Sequence, residues 1–201
     1  MIRRILLAPV LALALAAPAM ADKIPLGEIS SYLNGMKTAQ AKFTQVNGDG
    51  SISTGTLYIK RPGRVRFEYN PPEASLVLAG GGAVAIFDGK GNPSPETYPL
   101  NRTPLKIILD ERVDLGRARM VTGHTTDGKT TTVTAQDPEH PEYGNIQLVF
   151  TDNPVQLRQW VINDDAGTAT TVVLGELRTG VNLGDGLFNI TTAKGGKAPT
   201  R

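Results

Sequence analysis

The chain has 201 residues, with 21 Lys and Arg against 19 Asp and Glu, 40% hydrophobic residues and no cysteine. That length can bury a substantial core without help from disulfides. The near-even charge excludes the basic stripe that a nucleic-acid partner requires.

The first 21 residues read as an export leader. Arg3 and Arg4 form a basic head, 5–17 is an apolar run too short for a stable bilayer span, and Ala19-Met20-Ala21 is a small-x-small cleavage site. Residues 1–21 are therefore expected to be removed, leaving 22–201 as one exported domain with a loose tail from about 191. Taking 21 from 201 leaves 180 residues, and Arg3 and Arg4 go with the leader, so 19 cations face 19 anions. No later apolar stretch nears the ~20 residues of a membrane helix, so the mature chain is expected to be a soluble monomer rather than membrane-spanning. A bacterial lipoprotein needs a Cys directly after its leader, so this chain is not itself lipid-anchored in that way.

The spacing of Ile29, Tyr32, Leu33 and Met36 predicts an amphipathic helix over 22–38. Gly27 and Gly35 weaken it, so it depends on packing. Short strands are predicted over 41–46, 51–60, 64–69, 75–79 and 84–87, with a turn at Asn47-Gly48-Asp49-Gly50. Within them Leu57, Ile59, Val65, Phe67 and Tyr69 share one face, and Tyr58, Lys60, Arg64, Arg66 and Glu68 share the other, about a Pro62-Gly63 corner. Such a sheet encloses an oily space, expected to be partly vacant. Thr103 and Pro104, as N-cap and N1, open a short helix through Leu105, Ile107, Ile108 and Leu109. It is apolar on too many sides for a surface element and is expected to lie over something greasy. Further strands are predicted over 117–122, 130–135, 146–150, 156–162, 168–174 and 188–190, with turns at Asp127-Gly128 and 164–167. About ten short antiparallel strands and two helices make the fold mainly β, a curved sheet or incomplete barrel with helices over one opening.

Motifs that would carry catalysis dissolve in context. Gly123 to Thr130 matches the phosphate-loop pattern, but a β-branched run follows Lys129 where that loop needs a helix. Asp127-Gly128 is better read as a hairpin turn. Gly80-Gly81-Gly82-Ala83-Val84-Ala85 leads into a strand, not into the helix that receives a pyrophosphate. His124 and His140 lack ligand spacing, fall in predicted loops and read as solvated surface groups. Asp164 and Asp165 are adjacent on a turn and point apart, unlike a glycosidase pair. No Ser lies in a nucleophile elbow. Catalytic residues, a metal site and cofactors are therefore all expected to be absent. Arg61 shares the inward phase of Leu57 and Ile59; it either snorkels to solvent or sits at a rim and donates to the carbonyls of a covering helix. The facing of Trp160 is ambiguous, because its neighbours in phase are Arg158 and Ile162.

Several stretches come in the order and spacing of one known family. They are Phe43-Thr44-Gln45, Gly55-Thr56-Leu57, Lys60-Arg61-Pro62, Arg66-Phe67-Glu68-Tyr69, Pro71-Pro72, Phe87-Asp88-Gly89 and Thr103-Pro104-Leu105. Over nearly its whole mature length the chain resembles the periplasmic outer-membrane lipoprotein carrier family. The resemblance implies an unclosed antiparallel β-barrel of about ten or eleven strands, whose N-terminal helix and short lid helices cover a hydrophobic cavity for acyl chains. It implies acylated lipoproteins as cargo, an ATP-driven inner-membrane transporter as donor and an outer-membrane receptor lipoprotein as acceptor. On this basis Phe43, Leu57, Ile59, Val65, Phe67, Tyr69, Leu76, Leu105, Ile108, Leu148, Phe150 and Trp160 are the candidates to line the cavity. Arg61 corresponds to the family's lid-latching arginine. A second function keeps the fold but binds a protein, as a regulator of envelope-stress sensing; acyl species co-purifying with the chain discriminate between the two.

Overall fold

The computed structural model describes residues 22–89, 94–117 and 119–193; the predicted leader and the end of the tail lie outside them. Helix α1 spans Leu26–Gly35, shorter than its predicted 22–38. Pro25 stands extended immediately before it and steers Ile24 out of the helical region. Residues 22–25 run beside the sheet instead, where the Ile24 N–H donates to Thr131 Oγ1 at 3.0 Å.

The strands among the described residues are β1 (Thr38–Val46), β2 (Ile52–Lys60), β3 (Arg64–Tyr69), β4 (Leu76–Gly80), β5 (Ala83–Phe87), β6 (Glu96–Pro99), β7 (Val121–Thr126), β8 (Thr130–Gln136), β9 (Asn145–Thr151), β10 (Gln156–Asn163), β11 (Ala169–Leu174) and β12 (Arg178–Thr179). They form one antiparallel sheet in the order β6-β5-β4-β3-β2-β1-β11-β10-β9-β8-β7, with β12 paired to β1 beside this path. Its edges, β6 and β7, leave the barrel unclosed. Two predictions are corrected here, and β6 is a strand that was not predicted. β6 is four exposed residues ending in a proline, with no alternation to reveal it. β7 starts at Val121 rather than 117. Residues 188–190 are not a strand: Phe188 ends a 3-10 turn, Asp185–Phe188.

The sheet is strongly curled. Phe67 on β3 and Trp160 on β10 stand four strand spacings apart, ~19 Å along a flat sheet. Their rings nevertheless meet edge to face with centroids 6.2 Å apart. Curling brings the inward faces of distant strands into one apolar cluster.

Gly55 is a point of close approach within the sheet. It pairs with Phe43 on one side and Tyr69 on the other. A Cβ there would stand 2.1 Å from the Glu68 carbonyl oxygen and 2.6 Å from the Phe43 ring, so the ring already occupies the space of a side chain. Gly55→Ala is expected to cost about 1–3 kcal/mol by overpacking, lowering the melting temperature by about 2–12 °C. An unchanged melting temperature would contradict this packing.

The convex face of β2 to β5 is not simply solvated, as the outward charges predict. Residues 181–193 lie across it, with Leu183 and Phe188 packed against Leu76, Leu78, Ala85 and Phe87. The outward basic residues anchor this strap. Lys60 Nζ donates to the Leu183 carbonyl at 2.7 Å and pairs with Asp185. Arg64 pairs with the same carboxylate at 2.6 Å. Arg66 is buried; it donates to the Leu187 carbonyl at 3.0 Å and pairs with Glu68. Lys60 first, then Arg64, holds the Asp185 carboxyl below the usual carboxylate range. Ile190 and Ala193 pack against this cluster, so the chain stays attached past the predicted start of a loose tail.

Candidate functional site

Eleven of the twelve candidates meet on the concave side. Phe43, Leu57, Ile59, Val65, Phe67, Leu105, Ile108, Leu148, Phe150 and Trp160 are buried in one apolar cluster, and Tyr69 packs against it. Phe43 stands edge-on to Phe67 and Tyr69 at 5.4 and 5.2 Å. Burial pushes the Tyr69 phenol up to about 12, while its Oη donates to Gln45 Oε1 at 2.7 Å. Leu76 is the exception. In the β3–β4 register it faces Glu68, and cross-strand partners share a face, so Leu76 sits in the convex cluster instead.

A bulge settles the facing of Trp160. The β9–β10 register shifts between Leu157 and Gln159, so Leu157 and Trp160, three residues apart, both point inward. Arg158, at the shift, is exposed. Strict alternation therefore fails at this point.

The concave floor is covered rather than vacant, a correction to the sequence-based expectation. Ile29 and Leu33 of α1 fill it, together with Leu105, Ile107, Ile108, Leu109, Val113 and Leu115. An apolar void of about 520 Å³ lies at the rim, between β5, β6 and the end of β10. Val84, Tyr98, Leu105 and Ile162 line it, with Arg102, Asp164 and Asp165 among its polar residues.

The cover is a short lid. Helix α2 spans Lys106–Leu109, with Thr103 and Pro104 in the turn before it. Thr103 does not cap with its side chain, contrary to prediction: its hydroxyl donates back to the Leu100 carbonyl at 2.9 Å. Its carbonyl accepts the Lys106 N–H at 3.1 Å.

Both helices end at the Arg61-Pro62-Gly63 corner. Arg61 is 6% exposed. Its Nη1 donates to the Leu33 carbonyl of α1, and its Nη2 donates to the Asp110 carbonyl just past α2 at 2.5 Å. The Gly63 N–H donates to the Leu109 carbonyl at 2.8 Å. The last carbonyls of a helix have no partner within it and carry its negative pole. A guanidinium matches two such ends at once. Burial lowers the pKa of Arg61, opposed by the Asp110 carboxylate. Burial likewise raises that of Asp110, opposed by Lys106 and Arg61.

Asn34 and Ser30 escape sequence reasoning. Asn34 Nδ2 donates to the Val113 carbonyl at 2.7 Å, and its Oδ1 accepts the Val113 N–H at 2.9 Å. Ser30 Oγ accepts the Leu115 N–H at 3.0 Å. Two polar side chains four residues apart thus act as a strand edge and bind the post-lid segment to α1. The only signal in the sequence is their i, i+4 spacing beside the apolar stripe.

Among the motifs set aside, Gly128 has φ +82° and Asp127 Oδ1 accepts the Lys129 and Thr130 N–H groups. A strand, β8, follows, so the phosphate-loop match is a turn. His124 is corrected from a solvated loop residue to a half-buried strand residue, with Nε2 3.0 Å from the Ile24 carbonyl oxygen. His140 is exposed beside Glu142. Among the described residues no helix is long and apolar enough to cross a membrane, and no group of three or more His, Cys, Asp or Glu is placed to hold a metal.

A family profile and curated relatives point to one family. Residues 34–191 match the profile described as outer membrane lipoprotein carrier protein LolA. The chain is 27% identical over 192 residues to the outer-membrane lipoprotein carrier protein of Methylococcus capsulatus, covering 87% of each. It is 24% identical over 204 residues to that of Azotobacter vinelandii, covering 96% of this chain and 95% of the relative. Among solved structures, a LolA superfamily protein of Nitrosomonas europaea aligns with a TM-score of 0.45 at 8% identity, covering 85% of this chain and 100% of the other.

Proposed function

The chain belongs to the outer membrane lipoprotein carrier protein LolA family, and on that premise we propose that it shelters the acyl chains of lipoproteins in the periplasm. It takes them from an ATP-driven inner-membrane transporter and hands them to a receptor lipoprotein on the outer membrane. The observation that carries this reading is the latched lid. A concave apolar floor is covered by α1 and the short α2, and a buried arginine ties the ends of the two together. Such a floor can exchange the lid's side chains for those of a guest.

The magnitudes allow the exchange. Leu105, Ile107, Ile108 and Leu109 each gain about 1.5–3 kcal/mol by burial, so about 6–12 kcal/mol together. One acyl chain of about 14 methylenes gains about 11 kcal/mol on leaving water. A single chain therefore offsets the loss of the whole lid contact. Floor and membrane are both apolar, so transfer between them is nearly balanced and no nucleotide is needed on the carrier. Cargo is then held against water but not against a membrane-bound receptor.

Purified protein added to spheroplasts depleted of their own carrier should release a newly made lipoprotein into the medium as a soluble complex. If the lipoprotein stays on the membrane, the proposal fails.

A further inference from the structure

Trp160 carries a polar atom that the apolar floor does not use. The residue is fully buried, and its Nε1–H has no hydrogen-bond partner among the described residues. Its cross-strand partners are Leu148 and Val172. Phe67 meets it edge to face, and an aromatic face is at best a weak acceptor. A buried donor without an acceptor is destabilising, and buried tryptophans usually find one. Phenylalanine would fill most of the same space without that cost.

The neighbourhood indicates where an acceptor would come from. Ile162 lies two residues further along β10 on the same inward face, packed against the same cluster, and it lines the rim void together with Leu105 of the lid. Arg102, Asp164 and Asp165 give the lining of that void a polar part. From Ile162 to Trp160 is one two-residue step along the strand, ~7 Å. A diacylglyceryl lipopeptide has the same layout, with a polar peptide end, then acyl-linkage carbonyls, then alkyl chains.

We propose that Trp160 Nε1 donates a hydrogen bond to an acyl-linkage carbonyl of the bound lipid. The peptide end lies at the rim void, and the alkyl chains run deeper past Phe67. This subsite rests on the carrier function proposed above and adds a chemical preference to it, for carbonyl-linked chains over alkyl ethers.

Titration with a dipalmitoylglyceryl-cysteine lipopeptide and with its dialkyl ether counterpart tests the subsite. The unaltered protein should bind the ester form about tenfold more tightly. Trp160→Phe should lose the preference and bind the two forms alike. The chain has one tryptophan, so a single indole N–H resonance reports on the bond directly. It should move downfield with the ester ligand and not with the ether, a readout independent of whether Trp160→Phe folds. Equal affinities in the unaltered protein, or an indole resonance indifferent to the ester, overturn the subsite and leave the carrier function standing. Binding of neither lipopeptide sinks both.

Discussion

Arg61→Leu is expected to take up cargo and fail to hand it on. The substitution removes two charge-assisted hydrogen bonds, to the Leu33 and Asp110 carbonyls, each contributing about 1.5–3 kcal/mol. The closed lid then loses about 3–6 kcal/mol, roughly 10²–10⁴ in the lid equilibrium. Leucine is compatible with the apolar floor, so the sheet itself should survive. With the open form populated, acyl chains bind without working against closure, and apparent affinity rises. The same bias removes the force that expels the guest at its destination. Uptake from spheroplasts should be unchanged or higher, while delivery to receptor-bearing vesicles falls about tenfold or more. Arg61→Lys keeps the charge but loses the fork geometry, so its delivery should fall between the two. Normal delivery by the leucine variant would remove Arg61 from the mechanism.

Ile108→Glu should make lid closure depend on pH. Ile108 is 1% exposed in the concave cluster, where a carboxylate has no solvent. The closed form can keep the introduced carboxyl group only as the neutral acid. Holding a group of unperturbed pKa ~4.3 protonated at pH 7 costs about 4 kcal/mol. The folded pKa lies above the unfolded one, so this penalty is absent below pH ~4.3 and grows as the pH rises toward the folded value. At pH 7 the melting temperature should fall by about 8–16 °C, unless the lid opens first and exposes the site to an apolar dye. Near pH 4.5 the gap to the unaltered protein should largely close. A gap of the same size at both pH values would mean that position 108 is not buried in the closed form.

Much of the scaffold was legible in the sequence. The β2–β3 pair, with its inward Leu57, Ile59, Val65 and Phe67, falls where alternation puts it. Ile29 and Leu33 of the predicted stripe lie on the buried side of α1, and Met36 is buried just past its end. What could not be read was the facing of short or irregular strands. Leu76 begins a five-residue strand, Leu76–Gly80, that is apolar on both faces, so no phase could be read. Trp160 follows a bulge that resets the phase within its own strand. The convex strap was invisible because its anchors are far apart in the chain, as Lys60 and Asp185 are. The lid's tie to α1 was hidden for the same reason, since Asn34 meets Val113 only after folding.

By itself the sequence determined the sheet-rich architecture, the inward set of β2 and β3 and a helix too greasy for solvent. Side-chain periodicity and turn chemistry are properties of neighbouring residues. Only the tertiary structure decided which face Leu76 and Trp160 occupy, that the lid fills the floor, and that one guanidinium closes the ends of two helices. Those outcomes depend on register, curl and the meeting of carbonyls distant in the chain, and a curled sheet fixes all three together.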